Sequence, residues 1–187
     1  MKVKHLVGAF LCVLGCYACS SPKTEVQSPD GHIKMTLTVD ENGKPFYNVS
    51  VDDSLLIENS AMGFTAANGI ILAEGFQVKN TTFSSEDETW TQPWGENKKN
   101  RDHYNEMAVN LTNEDHVQLT LRFRVFDDGI GFRYEYTVPT VDSLLITDEL
   151  TTFRFHRDGT SWSIPASAET YELLYQQQPI SEVETAN

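Results

Sequence analysis

The sequence predicts an all-β fold, an antiparallel β-sandwich with short helices or none after an N-terminal leader. Three observations carry this. Apolar and polar residues alternate with period two in several separate runs. Turn-forming clusters punctuate those runs at intervals of roughly 8–12 residues. Past the leader, no segment shows an apolar stripe at the 3.6-residue helical period.

The leader comes first. Lys2, Lys4 and His5 form a positive start, and Leu6 to Gly15 is apolar. A bilayer-spanning helix needs roughly 20 residues, and this run has about 10, so it reads as a secretory signal. Val13-Leu-Gly-Cys16 and Cys16-Tyr-Ala-Cys19 both resemble a bacterial lipobox, so Cys16 or Cys19 is the expected lipidation site. Export to the periplasm or outer membrane follows, with membrane contact only through that lipid. The expected organisation is a lipoprotein-type signal peptide over 1–18, a polar tether over 19–30, a sandwich domain over 31–175 and a truncated linker over 176–187.

Ile33, Met35, Leu37 and Val39 alternate with polar residues and predict a strand. Asn42-Gly43 is a strong hairpin signal, and Tyr47, Val49 and Val51 alternate in the return strand. Asp52-Asp53-Ser54 turns the chain before Leu55-Leu56-Ile57. Met62 to Phe83 is less regular, with Gly63, Gly69 and Gly75, and predicts two or three short strands. Ser84 to Asn105 is polar and rich in tryptophan, and reads as a long loop. Met107, Val109 and Leu111, then Val117 to Val125, then Ile130 to Tyr136 predict three further strands, with Arg122 and Arg124 facing outward. Later runs centre on Leu144 to Ile146, Phe153 to Phe155 and Trp162 to Ile164. Tyr171 to Tyr175 reads as the last structured stretch.

Composition narrows the function. Acidic residues number 27 against 14 basic ones, a net charge of −13, which disfavours nucleic acid and anionic membrane surfaces as partners. All three cysteines lie in the leader, so the domain itself has neither disulfide nor thiolate metal site. The five histidines, His5, His32, His103, His116 and His156, lack short-range zinc spacing. No GxSxG elbow is present. Glu96 and Glu106 flank the expected loop and could face one another as a glycosidase pair, but spacing alone does not bring them together, and strand-edge glutamates more often pair with a neighbour such as Arg101.

The loop carries the strongest functional signal. Trp90, Trp94, Glu96, Arg101, His103, Tyr104, Asn105 and Glu106 crowd one polar segment. Flat aromatic faces suit the apolar C–H faces of sugars, and they equally suit a domain interface. The expectation is one cluster on one edge of the sandwich, with Arg101 clamped to Glu96 or Glu106.

Several runs, taken in order, resemble the N-terminal domain of glycoside hydrolase family 97, exported α-glucosidases and α-galactosidases. They are Ser28-Pro29-Asp30-Gly31, Glu88-Thr-Trp90, Trp94-Gly-Glu96, Arg101 with His103-Tyr104-Asn105-Glu106, Phe123 to Glu135, and Trp162 with Ile164-Pro165. They span nearly the whole chain after the leader. Asp102, Gly159 and Ser163 depart from the family's usual Asn, His and Trp. The resemblance implies a β-super-sandwich that packs on a (β/α)8 catalytic barrel. It also implies that the catalytic carboxylates and a calcium-ligating glutamate lie outside this chain, so no cofactor is expected here and calcium is expected in the full-length enzyme. The expected role is a non-catalytic domain that binds carbohydrate or supports the barrel, present as a fragment or truncated gene product. The alternatives are a piece of an intact α-glycosidase and a stand-alone surface lipoprotein that binds α-linked oligosaccharide.

Overall fold

The computed structural model describes residues 24–165 and 173–183. The signal peptide, Cys16, Cys19, the start of the Tyr171–Tyr175 run and the closing Thr185 to Asn187 lie outside the described residues.

The first sheet has the order β1-β2-β3-β4, with β1 Glu25–Gln27, β2 Ile33–Val39, β3 Pro45–Val51 and β4 Ser54–Ala61. Each neighbour is antiparallel. Ile33, Met35 and Leu37 alternate inward as the pattern predicts, opposite Val51, Val49 and Tyr47. The turn at Asn42-Gly43 is a five-residue loop rather than a two-residue one. The Asp40 side chain accepts from the backbone of Asn42 and Lys44, and Gly43 sits at φ +75°. Asp52 and Asp53, both at positive φ, form the tight turn between β3 and β4.

Two short pieces, β5 Phe64–Ala66 and β6 Ile71–Leu72, follow and join β11 Ile146–Glu149 in a small sheet. Short strands are what Met62 to Phe83 predicts. The second large sheet has the order β10-β9-β8-β7, with β7 Gln77–Thr91, β8 Lys99–Thr112, β9 Gln118–Phe126 and β10 Ile130–Thr137. Its inner face, Met107, Val109, Leu111, Leu119, Leu121, Phe123 and Val125, packs on the first sheet in one continuous apolar core. Tyr134 and Tyr136 tie β10 to the small sheet: the Tyr136 hydroxyl donates to the Leu72 carbonyl at 2.5 Å, and the Tyr134 hydroxyl accepts from Gly63 N at 3.3 Å. The predicted all-β sandwich is therefore the observed architecture.

Three boundaries differ from the sequence reading. Ser84 to Asn105 is not a loop; β7 and β8 run through it, and only Gln92 to Lys98 turns. The cause is exposure. A strand that meets water on both faces shows no alternation, so Ser84 to Thr91 reads as polar coil although each of its residues is in register with one of β8. The expected tether ends early, because Glu25–Gln27 pairs with β2 and buries Val26. The expected linker from Gln176 contains β13 Gln176–Pro179, paired with β12 Thr160–Ser163. A three-residue strand and a run of glutamines each carry too little pattern to read.

Candidate functional site

The β7–β8 hairpin is longer than the sheet that holds it. β9 pairs with β8 only as far as Tyr104, opposite Phe126. Beyond that point, Asp87 to Thr91 and Lys99 to His103 stand alone as a two-stranded ribbon. At about 3.4 Å per residue the five pairs project roughly 17 Å past the sandwich. Gly95, at φ +112°, closes the tip, and the Gln92 side chain donates to the Asn97 carbonyl at 2.9 Å. Trp90 is half exposed and Trp94 is 85% exposed on this projection, and Glu96 is exposed beside them.

Strand alternation divides the predicted residues. Trp90, Tyr104 and Glu106 lie on the outer face of the second sheet, while Arg101, His103 and Asn105 lie on the inner one. The expectation of a single clustered edge does not hold, because even- and odd-numbered residues of one strand point to opposite sides. Trp94 and Glu96 belong to neither face, since both sit in the turn.

The outer face is an ion-pair network. Glu106 accepts from Arg122 Nη1 at 2.5 Å and from Arg124 Nε at 2.8 Å. Arg122 also donates to Glu135 at 3.0 Å, and Arg133 donates to Glu135 at 2.7 Å. The Arg124 guanidinium lies 4.3 Å from the centre of the Tyr104 ring, a cation–π contact. Glu106 is 7% exposed. Burial opposes its ionisation, but the hydrogen bonds from Arg124 and Arg122 outweigh this and hold its carboxyl below the ordinary range. With one oxygen on Arg122 and the other on Arg124, Glu106 ties β8 to β9.

The inner face holds a different set. Arg101 donates twice to Asp87, at 2.7 and 2.8 Å. This corrects the expected clamp to Glu96 or Glu106. Glu106 is five residues from Arg101 and so faces away, whereas Asp87 lies diagonally across on the same face. The bidentate bond from Arg101 holds Asp87 below its ordinary range. His103 Nδ1 lies 3.4 Å from Asp127, and the Asn105 amide donates to the Gln27 carbonyl at 2.9 Å. Asp127 in turn accepts from Asp30 N at 2.9 Å. Asn105 thus joins β8 to the first sheet, and His103 lies beside the β9–β10 turn.

The sequence did not place Phe83, Asp30 or Asp87 beside these residues: Asp30 stood out only within Ser28-Pro29-Asp30-Gly31, Asp87 only within an acidic run, and Phe83 only as the last apolar residue before the polar stretch. Arg122 and Arg124 were legible as outward residues but not as the partners of Glu106. Among the described residues, no group of three or more His, Asp or Glu side chains is arranged to hold a metal.

A family model described as glycosyl-hydrolase 97 N-terminal matches residues 26–187. A glycoside hydrolase family 97 enzyme from Pseudoalteromonas sp. strain K8, solved in complex with panose, is 34% identical with a TM-score of 0.76, over 85% of this chain and 25% of that one. The same enzyme in complex with acarbose is 35% identical with a TM-score of 0.74, over 83% and 24%. A β-arabinopyranosidase shares the fold at 24% identity and a TM-score of 0.68, over 81% and 26%. The chain thus spans about a quarter of the length of these solved enzymes.

Proposed function

The chain belongs to the glycoside hydrolase family 97 N-terminal domain family, and on that premise we propose that it is the non-catalytic sandwich that docks on and frames an α-glycosidase barrel. The projecting β7–β8 ribbon carries this reading. An isolated two-stranded ribbon is marginally stable in water. Here it is stiffened by the Arg101–Asp87 clamp and ends in exposed tryptophans, the residue type enriched where protein surfaces meet. Both carboxylate oxygens of Glu106 are taken up by Arg122 and Arg124, which supports a structural role for that residue.

The substrate handled with the barrel is an α-linked oligosaccharide. Support comes from the solved relatives, whose complexes contain panose and acarbose. On the family resemblance, the full-length enzyme holds calcium near its active site through ligands outside this chain. Export and lipid attachment at Cys16 or Cys19 complete the reading and rest on the leader sequence. The test joins residues 24–187 to a family 97 barrel that lacks its own N-terminal domain. Hydrolysis of an aryl α-glucoside and thermal stability should both rise. Removing the ribbon's tip and Trp94, by replacing Gln92 to Lys98 with Asn-Gly, should reverse the gain. No change with the domain present would contradict the proposal.

A further inference from the structure

The inner face of β7 is not fully roofed by the first sheet. Phe83 sits opposite Met107 in the ladder and points to the core side, yet Met107 is wholly buried and Phe83 is 50% exposed. The first sheet ends at β1, whereas β7 continues one strand further out. The overhang leaves a groove of about 710 Å³, bounded by Glu25 to Gly31 on one side and by Phe83, Ser85 and Asn105 on the other. Small-molecule sites fall roughly within 300–1,000 Å³.

The lining points to one ligand chemistry. Phe83 offers a half-open aromatic face. Asn105 spends its amide N–H on Gln27, and among the described residues nothing donates to its Oδ1. Asp30 takes Ser28 Oγ at 2.5 Å and His32 N at 3.0 Å, both on Oδ1. Those two bonds hold Asp30 ionised, and among the described residues its Oδ2 keeps its acceptor capacity. Glu25 and Asp30 bring negative charge, and no Lys or Arg lines the groove. Anionic ligands are therefore repelled. A vicinal diol, which donates two hydrogen bonds while its ring lays C–H bonds on an aromatic face, fits each of these groups.

We propose that this groove is a binding site for a neutral oligosaccharide, with Phe83 as the stacking platform and Asp30 and Asn105 as acceptors for its hydroxyls. The site lies on the face opposite Trp90 and Tyr104 and needs no residue of a barrel. It goes beyond the docking role and stands or falls separately from it.

The experiment titrates the chain with maltotriose by calorimetry or by backbone NMR shifts. Saturable binding is expected, with shifts confined to Asp30, Phe83, Ser85 and Asn105. Phe83→Ala should weaken it about ten-fold or more, the loss of one stacked ring. Ser85→Lys, at an exposed position, should block the groove while leaving the thermal midpoint unchanged, and it serves if Phe83→Ala fails to fold. Absence of saturable binding by the parent chain would overturn the proposal. So would binding at the parent's affinity in either variant when folded.

Discussion

Phe83 and Met107 face each other across the β7–β8 ladder, and one is half exposed while the other is wholly buried. The difference arises because the two sheets are offset. β8 lies over β1, and β7 lies beyond it. The same offset leaves β7 exposed along most of its length and lets the hairpin project as a ribbon.

Trp94→Ala should change the stability of the chain by less than about 0.5 kcal/mol, because its side chain is 85% exposed. Urea denaturation monitored by far-ultraviolet circular dichroism checks this. A loss well above 1 kcal/mol would show that the tip packs on the body of the domain.

Glu106→Gln should cost about 1.5–3 kcal/mol, the range for hydrogen bonds to charged groups. The substitution removes the counter-ion that Arg122 and Arg124 share, at a carboxylate that is itself nearly buried, while Arg122 keeps Glu135. The urea midpoint should fall with no change in slope. A variant as stable as the parent would mean the pairs contribute nothing net.

Stability should fall in acid. The carboxyl of Glu106 is held below its ordinary value of 4.5 and that of Asp87 below 3.8. Their contribution is fully present above those values and is lost as pH falls through the lower folded-state ones. His32 works in the opposite sense: its bond to Asp52 raises it above 6.5, so its contribution is present below 6.5 and is lost as pH rises through the raised value. Urea midpoints measured from pH 7 to pH 3 should decline below about pH 4.5, and less steeply in Glu106→Gln. A flat profile would contradict the network.

Gly43→Ala should destabilise by more than about 1 kcal/mol. Gly43 sits at φ +75°, and a Cβ there would collide with the backbone of Gly75 and Phe76. Those backbones are held by Gly75 N to the Asn42 carbonyl and Phe76 N to the Gly43 carbonyl. A thermal midpoint equal to the parent's would show that the loop can relax.

The strands with one buried face were legible in the sequence. Ile33 to Val39 and Val117 to Val125 alternate because one side meets the core. Ser84 to Thr91 was not legible, because both of its faces meet water and nothing selects an alternating pattern. The residue types of the site were visible, but their grouping was not. Which residues share a face depends on where each strand begins and on its register, so Arg101 and Glu106 read as neighbours and lie on opposite sides. The Asp30–Asp127 contact spans 97 residues, a distance no local pattern encodes.

The most direct measurement is the hydrolysis of an aryl α-glucoside by residues 24–187 alone, by a family 97 barrel without its N-terminal domain, and by the two joined. No turnover is expected from the domain alone, and the joined protein should be more active and more heat-stable than the barrel. Turnover by the purified domain that disappears in Glu106→Gln, or a barrel indifferent to the domain, would contradict the proposed role.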